Sequence, residues 1–293
     1  MRYQLEKTLL ALTSALFCAL PEKGALGLGR WLGMLIYHVI GSRRRLALEN
    51  IRLAYGDELK APERREIVRR SYGHLGLNIA EFFRLPTLPP RELLDRVTVE
   101  GEEKLRAALD QGRGVLLLSA HLGNWDYLSA AIAMKGYPLA LITKVSRSDA
   151  LNRIWMGYRE KSGVRMLMGR GTMKESLKQL KKGGVVGFVL DQNARRKEGV
   201  FVPFFGRQAC TLSSLAIIAR RTGAPVVPVH IFRADGRHTV VFDEPIVTES
   251  HDNQEVDILE RTAAYTRWTE KAIRRHPDQW TWLHDRWRTR PRP

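Results

Sequence analysis

A chain of 293 residues is long enough to bury a sizeable core, and one domain of mixed class is the default expectation. Lys and Arg number 48 against 31 acids, a net charge of +17 that points to an acidic counterpart: nucleic acid, an anionic membrane face or an acidic partner. No helix-turn-helix, zinc-finger or RNA-binding signature accompanies the charge, and Cys18 and Cys210, far apart and without ligand spacing, support neither a disulfide framework nor a zinc site; a reducing, cytoplasm-facing compartment fits them.

The first two segments are apolar. Thr8 to Leu20 carries no charge, and Gly24 to Ile40 carries only Arg30 and His38. Neither alone reaches the roughly 20 residues that cross a bilayer. Glu6 and the lack of a small-x-small site before Pro21 argue against a cleaved leader. Residues 1–40 therefore read as a membrane hairpin or tilted anchor, with Trp31 and Tyr37 near the interface and Arg43, Arg44 and Arg45 just beyond. The plainer alternative is a pair of buried helices.

Residues 41–293 read as a single domain. Helices are expected over Arg43 to Tyr55 and over Ala61 to Arg84, the second opened by Pro62. From Val97 short strands alternate with helices: strands at 97–99, 114–119, 139–143, 164–166, 185–190, 226–232 and 239–242; helices at 102–111, 124–135, 149–162, 172–181, 212–222 and 257–276. That alternation predicts an α/β fold with a central, mostly parallel mixed sheet flanked by helices. Val115–Leu118 and Val185–Leu190 are apolar throughout, as strands buried on both faces are.

The chemistry is expected where those two strands end. After the first comes Ser119-Ala-His-Leu-Gly-Asn-Trp-Asp126. An imidazole at a strand end, with a carboxylate five residues on, reads as a general base with its orienter. No Ser or Cys nucleophile stands beside His121, so the base is expected to activate a hydroxyl of the substrate. After the second strand comes Asp191-Gln-Asn-Ala-Arg-Arg-Lys, followed by Gly199-Val-Phe-Val-Pro-Phe-Phe-Gly206. Asp191 reads as a site residue or as a turn cap, and Arg195 and Arg196 as phosphate ligands or as a solvated loop. Phe201, Phe204 and Phe205 read as an apolar wall suited to acyl chains or as ordinary core. Arg159 ends a predicted helix, where it complements the dipole or serves the site. Lys144 and Arg147 follow a strand as secondary phosphate contacts. The tail interleaves Trp280, Trp282 and Trp287 with Arg286, Arg288 and Arg290, a pattern suited to an interface or a phosphate-rich partner.

His-Leu-Gly-Asn-Trp-Asp resembles the His-x4-Asp/Glu box of the glycerolipid acyltransferases. It looks most like the lipid A biosynthesis (lauroyl/myristoyl) branch, whose box commonly ends in Glu. The Asp191 block, Ala224-Pro-Val-Val-Pro-Val229 and the Trp-rich tail resemble further blocks of that branch, in the same order along nearly the whole chain. The resemblance implies an inner-membrane O-acyltransferase with its active domain facing the cytoplasm. It implies His121 and Asp126 as general-base dyad, Arg159 on the developing charge, and Asp191, more loosely Arg195 and Arg196, at the acceptor. It implies no cofactor or metal, an acyl carrier protein thioester as donor (acyl-coenzyme A the alternative), and a phosphorylated, Kdo-bearing lipid A precursor as acceptor. No nucleic acid partner is expected; an anionic membrane surface is. Two rivals remain: acylation of another glycolipid or a lysophospholipid, and a non-catalytic basic membrane- or nucleic-acid-binding protein.

Overall fold

A computed structural model describes residues 2–143, 148–169 and 171–292. The amino-terminal half is helical: α1 (Arg2–Ala19), α2 (Glu22–Val39), α3 (Gly41–Tyr55), α4 (Ala61–Arg84) and α5 (Pro90–Asp95). Then come β1 (Val97–Glu100), α6 (Glu102–Leu109), β2 (Val115–Ser119), α7 (Trp125–Met134), β3 (Leu139–Thr143), α8 (Asp149–Lys161), β4 (Arg165–Met168), α9 (Thr172–Lys181) and β5 (Val185–Val189). The chain ends with β6 (Gly199–Phe204), β7 (Arg207–Leu212), α10 (Ser214–Thr222), β8 (Val226–Ala234), β9 (Arg237–Phe242) and α11 (Gln254–Arg275).

Seven strands form the central sheet in the order β1-β9-β8-β2-β5-β3-β4. Every neighbouring pair is parallel except β8 with β9. The expected α/β architecture is therefore present. β2 is buried along its whole length, as its unbroken apolar run requires. α4 starts where expected, with Pro62 in its first turn and Glu63 accepting the Lys60 backbone N–H at 2.6 Å.

Two segments differ from their sequence reading. Gly199–Leu212 is not a turn with an aromatic wall but an antiparallel hairpin, β6 with β7. In the Trp-rich tail the tryptophans and Arg286 face the core, whereas Arg288 and Arg290 are exposed. Trp280, Trp282 and Arg286 are fully buried against Tyr55, Phe204 and Phe205. Arg286 donates to the Cys210 carbonyl at 2.8 Å and lies 4.8 Å from the Phe204 ring centroid. Burial lowers its pKa to about 10.

No helix among the described residues is long and apolar enough to cross a membrane. α2 instead packs flat along α4 through glycines. A Cβ on Gly33 would lie 2.1 Å from the Tyr72 carbonyl oxygen, and one on Gly76 2.1 Å from that of Gly29. Small residues let the two backbones touch. The opposite faces stay open: Leu9, Leu12 and Leu16 on α1, and Trp31, Leu35 and Val39 on α2, are exposed.

Candidate active site

β2 and β5 pair in register from Val115 with Val185 to Ser119 with Val189. His121 and Asp191 each stand two residues beyond the last pair. Register thus turns a separation of 70 residues into direct contact, at the strand ends where α/β sheets hold ligands. Asp191 Oδ1 lies 2.9 Å from His121 Nδ1. Asp191 Oδ2 accepts the His121 backbone N–H at 3.0 Å and the Trp280 Nε1–H at 2.7 Å. Asp191 is only 2% exposed, and burial opposes its charge. The His121 charge and the three hydrogen bonds outweigh burial and hold its pKa down at about 2. A carboxylate ionised at neutral pH keeps the imidazole proton on Nδ1, which leaves the Nε2 lone pair as the proton acceptor. Nε2 has Gln192 Nε2 at 3.4 Å. The ring packs edge-on against Trp125 at 5.1 Å.

Asp126 is placed differently from its sequence reading. Gly123, at φ +57°, turns the chain so close to β8 that a Cβ would lie 2.1 Å from the Ile231 carbonyl oxygen. Asn124 then caps α7, its Oδ1 accepting the backbone N–H of Asp126 at 3.1 Å and of Tyr127 at 3.0 Å. The first turn of α7 aims the Asp126 carboxylate at α8, where Arg159 Nε donates to Oδ1 at 2.7 Å. Among the described residues no hydrogen bond joins Asp126 to His121. The carboxylate on the imidazole is that of Asp191, and Asp126 holds Arg159, whose guanidinium lies 5.8 Å from the Trp155 ring centroid.

His121, Asp126, Arg159 and Gln192 form the polar end of a cavity of about 480 Å³. Asn78, Thr143, Asn152 and Thr281 also line it, and the rest of the wall is apolar, built chiefly from Ile79, Phe82 and Phe83 of α4, Leu10 of α1, and Leu151, Ile154 and Trp155 of α8. Sequence reading missed this wall because its α4 residues repeat at helical spacing, as core residues do. It missed Trp280 because an indole beside arginines resembles an interface.

Other expected site residues lie elsewhere. Phe204 and Phe205 are buried under the tail, packed at tilted and edge-on angles among Tyr55, Trp280, Trp282 and Trp287, and Phe201 lies beneath the Arg196 guanidinium at 5.2 Å. None of the three borders the cavity among the described residues. The β6–β7 hairpin places Phe204 and Phe205 in one apolar cluster with Ala272 and Ile273 of α11 and the tail tryptophans. Arg195 is 74% exposed at its side chain and sits 3.8 Å from Glu198; Arg196 is exposed and donates to the Arg290 carbonyl. Neither borders the cavity among the described residues. Lys144 and Arg147 lie outside the described residues.

The family described as bacterial lipid A biosynthesis acyltransferase matches residues 2–289. A lipid A biosynthesis lauroyltransferase of Escherichia coli K12 is 29% identical over 275 residues, covering 93% of this chain and 88% of that protein. A lipid A biosynthesis palmitoleoyltransferase of the same organism is 26% identical, covering 94% and 89%. A phosphatidylinositol mannoside acyltransferase of Mycolicibacterium smegmatis is 27% identical, covering 76% and 72%. With a match across nearly its whole length, the chain is an acyltransferase and belongs to the bacterial lipid A biosynthesis acyltransferase family.

Proposed function

We propose that this acyltransferase moves a fatty acyl chain from an acyl carrier protein thioester to a hydroxyl of a Kdo-bearing lipid A precursor, at the cytoplasmic face of the inner membrane. The observation that carries the reading is the His121–Asp191 contact at 2.9 Å, facing an apolar cavity with an arginine at its polar end. His121 Nε2 takes the acceptor proton as the hydroxyl oxygen attacks the thioester carbonyl. The tetrahedral intermediate collapses, the thiolate leaves, and the imidazolium returns the proton to it. Asp191 fixes the tautomer and stabilises the imidazolium. Arg159, oriented by Asp126, meets the negative charge that develops on the carbonyl oxygen. The chain seats among Ile79, Phe82, Phe83 and Trp155, so these residues take the role that sequence reading gave to Phe201, Phe204 and Phe205.

The open apolar faces of α1 and α2 and the adjacent Arg43, Arg44 and Arg45 support in-plane attachment to an anionic membrane. Leu10 of α1 borders the cavity, so an acyl chain entering from the lipid side meets α1 first. The positive net charge suits both an acidic carrier protein and a phosphorylated acceptor.

The similarity to mycobacterial phosphatidylinositol mannoside acyltransferases favours a second acceptor class on the same machinery. The test is mass spectrometry of products formed by purified protein with an acyl carrier thioester or acyl-coenzyme A and either glycolipid. An ester on the lipid A precursor, formed from the carrier thioester, is the expected product. Transfer only to the mannoside, or only from coenzyme A, would reassign the substrate. No transfer to any acceptor, with His121→Ala indistinguishable from wild type in every binding assay, would leave a basic binding protein.

A further inference from the structure

Glu81 is a buried carboxylate that the chemistry above does not use. It projects from α4, one turn beyond Asn78, and is 5% exposed. Arg233 of β8 grips it with two hydrogen bonds, Nη1 to Oε1 at 2.8 Å and Nη2 to Oε2 at 2.6 Å. His238 Nε2 of β9 lies 3.0 Å from Oε1. Burial opposes its charge, and His238 and Arg233 together hold its pKa down at about 2. The fourth contact leaves this cluster: Asn124 Nδ2 donates to Glu81 Oε2 at 2.6 Å.

That contact decides how Asn124 works. An Asn side chain carries a donor end and an acceptor end of nearly the same shape. A carboxylate accepts only, so Glu81 draws the amide NH2 to itself and turns Oδ1 toward the backbone N–H of Asp126 and Tyr127. The same turn is tied twice more. Asn78 Nδ2 donates to the Gly123 carbonyl at 2.5 Å, and the Gly123 N–H donates to the Gln279 carbonyl at 3.1 Å. Gln279 is itself paired with the Arg233 backbone through both ends of its amide.

Stability alone is a poor reason for such a cluster. Desolvating Glu81, Arg233 and His238 is costly, and apolar residues of similar volume commonly hold packed elements equally well. What an apolar contact cannot do is fix the direction of an amide.

We infer that Glu81 is a positioning residue for acyl transfer: through Asn124 it sets the first turn of α7, and with it the Asp126 carboxylate that orients Arg159 against His121. The inference rests on the general-base reading given above. Misplacement of a reacting group by about 1 Å costs roughly 10²-fold in rate. Two variants separate positioning from support. Asn124→Ser keeps a capping oxygen but gives up the donor to Glu81, and Glu81→Gln keeps the shape but frees the amide to turn.

The experiment measures kcat and KM for acyl transfer, thermal unfolding, and hydrogen exchange of the peptide spanning residues 121–128. Positioning predicts that Asn124→Ser lowers kcat at least about tenfold, with donor KM within about twofold and the unfolding midpoint near wild type. Exchange in the peptide accelerates. The double variant is no slower than the slower single variant, because both cut one connection. Wild-type kcat in Asn124→Ser, or multiplied effects in the double variant, overturns the inference. Should Glu81→Gln fail to fold, Asn124→Ser alone decides. His121→Ala is run alongside: if it stays active, the general-base reading fails, whereas exchange in 121–128 still tests the Glu81 connection.

Discussion

Asp191→Asn is the sharpest perturbation of the candidate site, because the three donors around the carboxylate dictate how the amide must sit. The native oxygens accept from His121 Nδ1–H, His121 N–H and Trp280 Nε1–H. An asparagine supplies one oxygen and one NH2. If the oxygen faces Nδ1, the NH2 confronts two buried N–H donors, each unsatisfied at a cost of about 1–3 kcal/mol. If the NH2 faces Nδ1, the oxygen satisfies both of those donors, but the imidazole must then carry its proton on Nε2. The second arrangement is the cheaper, and it removes the lone pair that accepts the substrate proton. The variant is therefore expected to fold and to lose roughly 10³–10⁴ in kcat, the size seen when a catalytic histidine is held in the wrong tautomer. That loss equals about 4–5 kcal/mol of transition-state stabilisation. The assay is steady-state acyl transfer with the folded fraction measured by circular dichroism. A kcat within about tenfold of wild type in well-folded Asp191→Asn protein would refute the assignment. Asp126→Asn provides the contrast. Its carbonyl still accepts from Arg159 Nε, so its loss should be smaller, and Asp126→Glu should retain activity.

Three further outcomes follow from the same structure. Gly76→Ala puts a Cβ 2.1 Å from the Gly29 carbonyl oxygen and should destabilise the α2–α4 contact by about 1–3 kcal/mol, read as a lowered unfolding midpoint in detergent; an unchanged midpoint would contradict that packing. Burial holds the His230 pKa down at about 4, so stability should be complete above pH 6.5 and fall as pH drops toward 4, by up to about 3 kcal/mol for this group; a flat stability profile over that window would contradict its neutral burial. Replacing Leu12, Leu16 and Trp31 together by Asp should weaken binding to anionic vesicles in flotation assays at low salt, whereas retained binding would move the membrane contact off α1 and α2.

The elements of the domain were legible because each carries its own local signal. Pro62 and Glu63 mark the start of α4, and the unbroken apolar runs of β2 and β5 mark central strands. The partner of His121 was not legible from spacing. Asp126 is near in sequence, but Asn124 winds it into α7, and Asp191 becomes adjacent only through the register of β2 with β5. The resemblance to an acyltransferase block nonetheless pointed to Asp191. Trp280 and Arg286 show the reverse difficulty, since a Trp/Arg alternation has the same composition in a core as at an interface. Only the carbonyl of Cys210 beneath Arg286, and the carboxylate of Asp191 beneath Trp280, distinguish them. Glu81 gave no signal, because its partners lie in two segments distant from α4 in sequence: Asn124 before α7, and Arg233 and His238 paired in the β8–β9 hairpin.

In the proposed mechanism His121 removes the acceptor proton during acyl transfer. That step is tested most directly by comparing wild type with His121→Ala, each purified and folded, in transfer of a labelled acyl group from acyl carrier protein thioester to a phosphorylated lipid A precursor. Labelled ester is expected from the wild type, and a rate lower by roughly 10²–10⁴-fold from His121→Ala, with acceptor binding retained. Turnover by His121→Ala at a rate near wild type would contradict it.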